Sequence, residues 1–182
     1  MKNRLIIITG PKHSGKTMTA RTLEKITGGE AVDLDDIVER QTGIKVRALF
    51  KEGPEIFREA EARALASLAE IQNQGLRIIA AGGGLVDNPE AMALLGRHRE
   101  IIIVYLDVSP ETAWQRILQT TSGGELPPFL NTETPRETHC ALHKRRAEAY
   151  KALARLTISA ENKSSEEIAG EIAEHLQLPA NP

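Results

Sequence analysis

Residues 5–17 read Leu5-Ile6-Ile7-Ile8-Thr9-Gly10-Pro11-Lys12-His13-Ser14-Gly15-Lys16-Thr17. The first five have the unbroken apolar character of a strand buried on both faces. Gly10–Thr17 matches G-x-x-x-x-G-K-[ST] in full, and Met18-Thr19-Ala20-Arg21-Thr22-Leu23 reads on as a helix. Strand, loop and helix in this order are the context that gives the pattern physical meaning. Backbone N–H groups of such a loop wrap phosphate oxygens, and the positive end of the following helix points at them. Gly10 and Gly15 allow the tight turn and the close approach. Lys12, His13, Ser14 and Met18 complete the nucleotide-contacting stretch, with the His13 side chain expected to point outward. Lys16 reaches the β- and γ-phosphates, and the Thr17 hydroxyl is placed to ligate Mg²⁺. The stretch implies a nucleoside triphosphate, ATP in the simplest case, bound with Mg²⁺.

Working outward, the chain of 182 residues is long enough for one core with small excursions, so residues 1–182 are expected to form a single domain. A formal net charge of −2 argues against a general nucleic-acid binder. The one cysteine, Cys140, excludes an internal disulfide and suits a reducing cytosol. No apolar run approaches the roughly 18 residues that cross a bilayer. Gly10–Lys16 also interrupts any apolar stretch that the start Met1-Lys2-Asn3-Arg4 would need to act as a signal peptide. A cytoplasmic, monomeric protein acting on a small molecule, with no nucleic-acid or membrane partner, is the expectation.

Short apolar runs alternate with amphipathic stretches, the pattern of a parallel sheet covered on both faces. Strands are expected at Arg4–Thr9, Ala31–Leu34, Leu76–Ala81, Ile101–Leu106 and Leu156–Ser159. Helices are expected at Thr17–Ile26, Glu55–Gln72, Pro89–Leu95, Pro110–Leu118, Arg136–Ala154 and Ser165–Leu176. Ser109-Pro110 gives a cap followed by proline at the first helical position. Residues 36–62 form a mostly helical excursion, and 119–135 a long polar Gly/Pro-rich segment suited to a water-excluding lid. The tail from Leu178 is expected to fray.

Four further features carry chemistry. Asp33-Leu34-Asp35-Asp36 closes the second strand, where ligands of parallel sheets collect. Read as strand residues two apart, Asp33 and Asp35 share a face. One can hold a Mg²⁺-bound water and the other can accept an acceptor hydroxyl's proton; Asp36 reads as a helix cap. Gly82-Gly83-Gly84 after the third strand exposes main-chain N–H groups to a ligand. Arg58 and Arg146 suit a bidentate grip on a carboxylate, Arg146 sharing a helical face with Tyr150. His139 and His143, four apart, lack a third metal ligand and read as helix-surface residues. Trp114 reads as a packing residue.

The ordered set resembles the shikimate kinase family, a branch of the nucleoside-monophosphate-kinase-like P-loop proteins. It comprises Gly10–Thr17, Asp33–Glu39, Phe50-Lys51-Glu52-Gly53, Phe57-Arg58-Glu59, Gly82–Gly84, Val104–Glu111 and Arg146 with Tyr150. The resemblance runs from about Leu5 to about Ile172. It implies a three-layer α/β/α P-loop kinase fold with a five-stranded parallel sheet, and phosphorylation of shikimate by ATP. It implies Lys16 and Asp35 as catalytic, and Thr17 with Asp33 at the metal. Asp35, Arg58, Gly82, Gly83, Gly84 and Arg146 fall to the acceptor, and Ser159–Ser164 lies near adenine. One departure stands out. The family's lid carries an arginine in an Arg-Pro-Leu-Leu run, whereas this chain has Pro127-Pro128-Phe129-Leu130 and no basic residue between Gln119 and Pro135. Arg116 and Arg136 are the nearest substitutes. Two other readings share the fold: a kinase for another small hydroxylated carboxylic acid, and a weakly catalytic nucleotide-binding regulator.

Overall fold

In the first strand, β1 (Arg4–Thr9), Ile6, Ile7 and Ile8 are all fully buried. Successive side chains of a strand point to opposite faces, so a run with no polar break needs cover on both sides. The computed structural model, which describes residues 4–70, 75–98, 100–121 and 126–181, shows that cover. Ile6 and Ile8 join Leu23, Val104, Leu106 and Ile172 in one core layer. Ile7 turns the other way, to Leu34, Leu65, Ile79 and Ile103.

The sheet also contains β2 (Glu30–Asp33), β3 (Leu76–Ala80), β4 (Ile102–Asp107) and β5 (Leu156–Ser159). All neighbours are parallel, in the order β2-β3-β1-β4-β5. On the Ile6 face lie α1 (Lys16–Thr27), α6 (Pro110–Thr121) and α8 (Ser165–His175). The opposite face is covered by α2 (Leu34–Thr42), α3 (Val46–Glu52), α4 (Pro54–Glu70) and α5 (Pro89–Arg97). There too, α7 (Pro135–Leu153) lays Tyr150 on Tyr105 of β4, rings stacked at 5.5 Å. Helix starts follow their caps: Asn88 accepts from the Ala91 N–H ahead of α5, and Ser164 forms a reciprocal capping box with Glu167 ahead of α8.

Most expected elements lie within a few residues of their observed bounds, and the expected end of the fourth helix at Gln72 lies outside the described residues. Two expectations are corrected. The tail does not fray through Asn181: Leu178 packs on the core and the Asn181 N–H donates to the Ile26 carbonyl at 2.7 Å. His139 and His143 are not surface residues. Both are buried where α7 meets α6; His139 packs against Trp114 and its Nε2–H donates to the Pro110 carbonyl. Among the described residues no group of three or more His, Cys, Asp or Glu side chains is placed to hold a metal.

Candidate active site

The strands β2, β3 and β1 are neighbours in space, with Asp33 beside Ala80 and Ala80 beside Ile8. Their carboxyl ends therefore deliver three distant segments to one place: Gly10–Thr17, Asp33–Asp35 and Ala81–Gly84. Together with α3, α4 and α7 these wall a cavity of about 370 Å³.

On the phosphate side, Gly15 precedes α1 with φ 94°, a left-handed conformation that only glycine adopts without strain. No side chain caps α1, so its first N–H groups and the positive end of its dipole remain for an anion. Lys16 Nζ donates to the Pro11 carbonyl at 2.8 Å. Burial pushes the Lys16 pKa down to about 8; Asp35 and Asp33 pull it up, and Lys12 pushes it further down. Ser14 is buried, its hydroxyl without a partner among the described residues, and Met18 is exposed. His13 is half-buried against α6 rather than turned outward, its Nε2 2.9 Å from Thr120 Oγ1.

Thr17 Oγ1 donates to Asp33 Oδ2 at 2.8 Å, and Asp33 Oδ1 accepts from the Asp35 N–H at 3.1 Å. A hydroxyl and a carboxylate side by side are the hard oxygen donors that Mg²⁺ takes alongside phosphates. The strand argument for Asp33 and Asp35 is corrected here. β2 ends at Asp33 and Leu34 already begins α2, so Asp35 lies in a first helical turn. Asp33, not Asp36, is the cap of that helix. Both carboxylates nevertheless line the cavity. Burial pushes the Asp35 carboxyl above its ordinary range and the Asp33 charge adds to this, against the pull of Lys16 and Lys12.

The triple glycine meets the phosphate loop directly. A Cβ on Gly83 would stand 2.7 Å from the Gly10 carbonyl oxygen, whereas one on Gly82 would meet nothing within 4 Å. Arg146 reaches the same corner from α7. Its Nε and Nη2 both donate to Asp87 Oδ2, at 2.8 and 2.7 Å, and Arg145 takes the other oxygen at 2.7 Å. Partial burial acts against it, but the two guanidiniums hold the Asp87 carboxyl below its ordinary range. Phe129, in a 3-10 turn at Pro128–Leu130, places its ring 5.8 Å from Arg146 Cζ. The Tyr150 hydroxyl accepts from the Val86 N–H at 3.0 Å, which ties α7 to the turn after the glycines.

Arg58 is not brought to the cavity wall; its guanidinium pairs with Glu55 at 2.6 Å on the outer side of α4. One turn further on, Glu61 faces inward and is almost fully buried. Asn88 Nδ2 donates to Glu61 Oε2 at 2.9 Å and to the Arg58 carbonyl at 2.8 Å. Burial pushes the Glu61 pKa up to about 7; the Asn88 bond opposes this, Asp35 adds to it, and Arg146 and Arg58 oppose it. Glu61, Asp87 and Asn88 received no role from the sequence. A signal existed for Glu61, because a lone carboxylate among Ala60, Ala64, Leu65 and Leu68 falls on the apolar face of its helix. Asp87 gave none, since its partners lie nearly 60 residues downstream.

The expected lid is described at 119–121 and 126–135; its residues 122–125 lie outside the described residues. Neither expected substitute for a lid arginine faces the cavity. Arg116 donates to the His13 carbonyl at 3.1 Å and the Ala160 carbonyl at 3.3 Å, bracing the phosphate loop against the expected adenine stretch. Arg136 pairs with Glu111 at 2.8 Å on the surface.

A family model described as "Shikimate kinase" matches residues 12–177. The shikimate kinase of Moorella thermoacetica is 35% identical over 173 residues, covering 94% of each chain. That of Actinobacillus pleuropneumoniae is 32% identical over 174 residues, covering 95% of each. Among solved structures, shikimate kinase from Acinetobacter baumannii in complex with shikimate superposes with a TM-score of 0.81 at 29% identity. That alignment covers 97% of this chain and 93% of the other.

Proposed function

The chain belongs to the shikimate kinase family, and from that premise we propose that it transfers the γ-phosphoryl group of ATP to a ring hydroxyl of shikimate. The products are 3-phosphoshikimate and ADP. The observation that supports this reading most is the single cavity in which Lys16 and Thr17 stand on one wall and Asp35, Gly83 and Arg146 on another. A donor of phosphate and an acceptor bearing both hydroxyls and a carboxylate fit its two halves.

Lys16 leaves the Pro11 carbonyl for the β- and γ-phosphates, and the uncapped start of α1 adds backbone donors. Thr17 and Asp33 would hold Mg²⁺, which would supply charge neutralisation at the phosphates. Asp35 accepts the proton of the attacking hydroxyl, a task suited to a carboxyl whose proton affinity burial has raised. Arg146, with one edge held by Asp87, offers its remaining N–H groups to the acceptor's carboxylate. Gly82–Gly84 supply backbone contacts, and Arg58 completes the carboxylate grip by turning from Glu55. No helix among the described residues is long and apolar enough to cross a membrane. The enzyme of this reading acts as a monomer in the cytoplasm.

The test is a coupled assay of ADP release with shikimate and a panel of other polyhydroxy acids. Shikimate-dependent turnover is expected, and Lys16→Met is expected to abolish it. Turnover with another acid and none with shikimate would overturn the acceptor. ATP binding without turnover of any acid would leave only a nucleotide-binding protein.

A further inference from the structure

Phosphoryl transfer spreads negative charge over the transferred group, and a cation added to it beyond the phosphate-loop lysine is worth about 10³–10⁵ in rate. The lid brings none, because residues 119–135 contain neither Arg nor Lys. The guanidiniums around the cavity are already engaged. Arg116 is held by the His13 and Ala160 carbonyls behind the phosphate loop. Arg136 pairs with Glu111, Arg58 with Glu55, and Arg145 and Arg146 with Asp87.

Lys12 differs from all of these. It is the third residue of the phosphate loop and lines the cavity together with Lys16, Gly83, Phe129 and Arg146. Among the described residues it has no hydrogen bond or ion pair. Its charge is felt on both sides of the transfer path: it lowers the pKa of Lys16 on the donor wall and of Asp35 on the acceptor wall. It is also exposed enough to swing onto an arriving phosphate without breaking a contact.

We propose that Lys12 is a catalytic residue that supplies, from within the phosphate loop, the second cation on the transferring phosphoryl group. As the acceptor oxygen bonds to the γ-phosphorus, the bond from that phosphorus to the β-γ bridging oxygen breaks. The acceptor proton passes to Asp35 and ADP leaves carrying the bridging oxygen. Lys12 stays protonated throughout and follows the charge on the three equatorial oxygens. A single chain thereby combines a lid without a base and a phosphate loop with an extra one. This inference rests on the phosphotransfer reading above.

Lys12→Met keeps the length of the side chain and removes its charge, and Lys12→Arg restores the charge. Lys12→Met is expected to lower kcat about 10²–10³-fold with the KM for shikimate changed by less than about threefold. Lys12→Arg should recover most of that loss. A second measurement needs no acceptor: the affinity for ADP with and without fluoroaluminate, which mimics the phosphoryl group in transit. The wild-type protein should bind ADP more tightly when fluoroaluminate is present. Lys12→Met should lose most of that tightening, with the affinity for ADP alone changed far less than kcat. Wild-type kcat in Lys12→Met, or a loss of ADP affinity as large as the loss of kcat, would overturn the proposal. If shikimate proves not to be the acceptor, the fluoroaluminate comparison still decides the role of Lys12.

Discussion

The two halves of the cavity are built in opposite ways. The phosphate half is one contiguous stretch, Gly10–Thr17, whose working parts are largely backbone N–H groups and two lysines that follow each other closely in sequence. The acceptor half is assembled from side chains of α2, α4, α7 and the turn after β3, several of them held by a partner from another element. Asp87 holds Arg146, Asn88 holds Glu61, and Tyr150 holds Val86. A local loop specifies its geometry through glycine and hydrogen bonds within a few residues. A side-chain wall specifies it only after the tertiary structure has formed. The first half should therefore be robust to changes elsewhere and the second sensitive to them.

The largest effect that separates the halves should come from Glu61, the most deeply buried carboxylate of the acceptor wall. Its folded pKa of about 7 lies above the ordinary value of 4.5. The folded state thus holds an extra proton between these values, and the stability that this proton contributes is lost as pH rises through about 7. Gln keeps the Asn88 contact and does not titrate. Glu61→Gln should therefore gain stability relative to the wild type between pH 4.5 and pH 8, by about 3 kcal/mol. Urea unfolding at the two pH values measures this. A difference that does not change with pH would show that Glu61 is not the costly buried acid described above.

A smaller effect should come from the seam where the halves touch. Gly83→Ala would press a methyl group against the Gly10 carbonyl, 2.7 Å away on backbone that cannot rotate aside. Overpacking of this kind costs about 1–3 kcal/mol. Because the strain falls on both walls, KM for ATP and for shikimate should rise together and Tm should fall. Gly82→Ala, with no atom within 4 Å of its added carbon, is the matched control and should change little. Equal behaviour of the two variants would mean that the loops do not support each other.

The same division decides what the sequence discloses. Leu5–Thr17 names its strand, its loop and its ligand class because the residue types that carry all three are contiguous in sequence, although distant partners such as Asp33 and Arg116 also hold it. Five parallel strands follow from apolar runs, but their order does not, since pairing of β1 with β3 and β4 is decided by how the covering helices pack. Asp33 and Asp35 were recognised as a pair for a reason that fails. A four-residue strand is too short for its period to mark where the helix begins, and the cap, not the pleat, sets their geometry. His139 and His143 look like surface residues on a helix rich in charge, yet α6 covers them with Trp114. The tail lacks any periodic signal and is fixed by Leu178 packing on the core and by the bond from Asn181 to the end of α1. Arg146 was legible as a cation on a helical face. The acid that aims it was not.

That acid gives the finest test of the contrast. An arginine presents two edges suited to an anion, and Asp87 occupies the one formed by Nε and Nη2. The Phe129 ring lies 5.8 Å from Arg146 Cζ, and both residues line the cavity. Asp87→Asn keeps the shape but releases the charge-assisted grip, so Arg146 samples more rotamers and meets the acceptor less often in the productive one. A charge-assisted hydrogen bond contributes about 1.5–3 kcal/mol, part of which binding of the acceptor's own carboxylate would restore. KM for shikimate should rise about tenfold, with kcat and KM for ATP changed by less than about threefold. With the carboxamide analogue of shikimate the variant and the wild type should differ little, because the lost orientation matters only to an anionic group. A rise in the ATP KM equal to that for shikimate would mean that Asp87 supports the whole cavity. The acceptor wall would then be no more independent of the phosphate loop than the loop is of it.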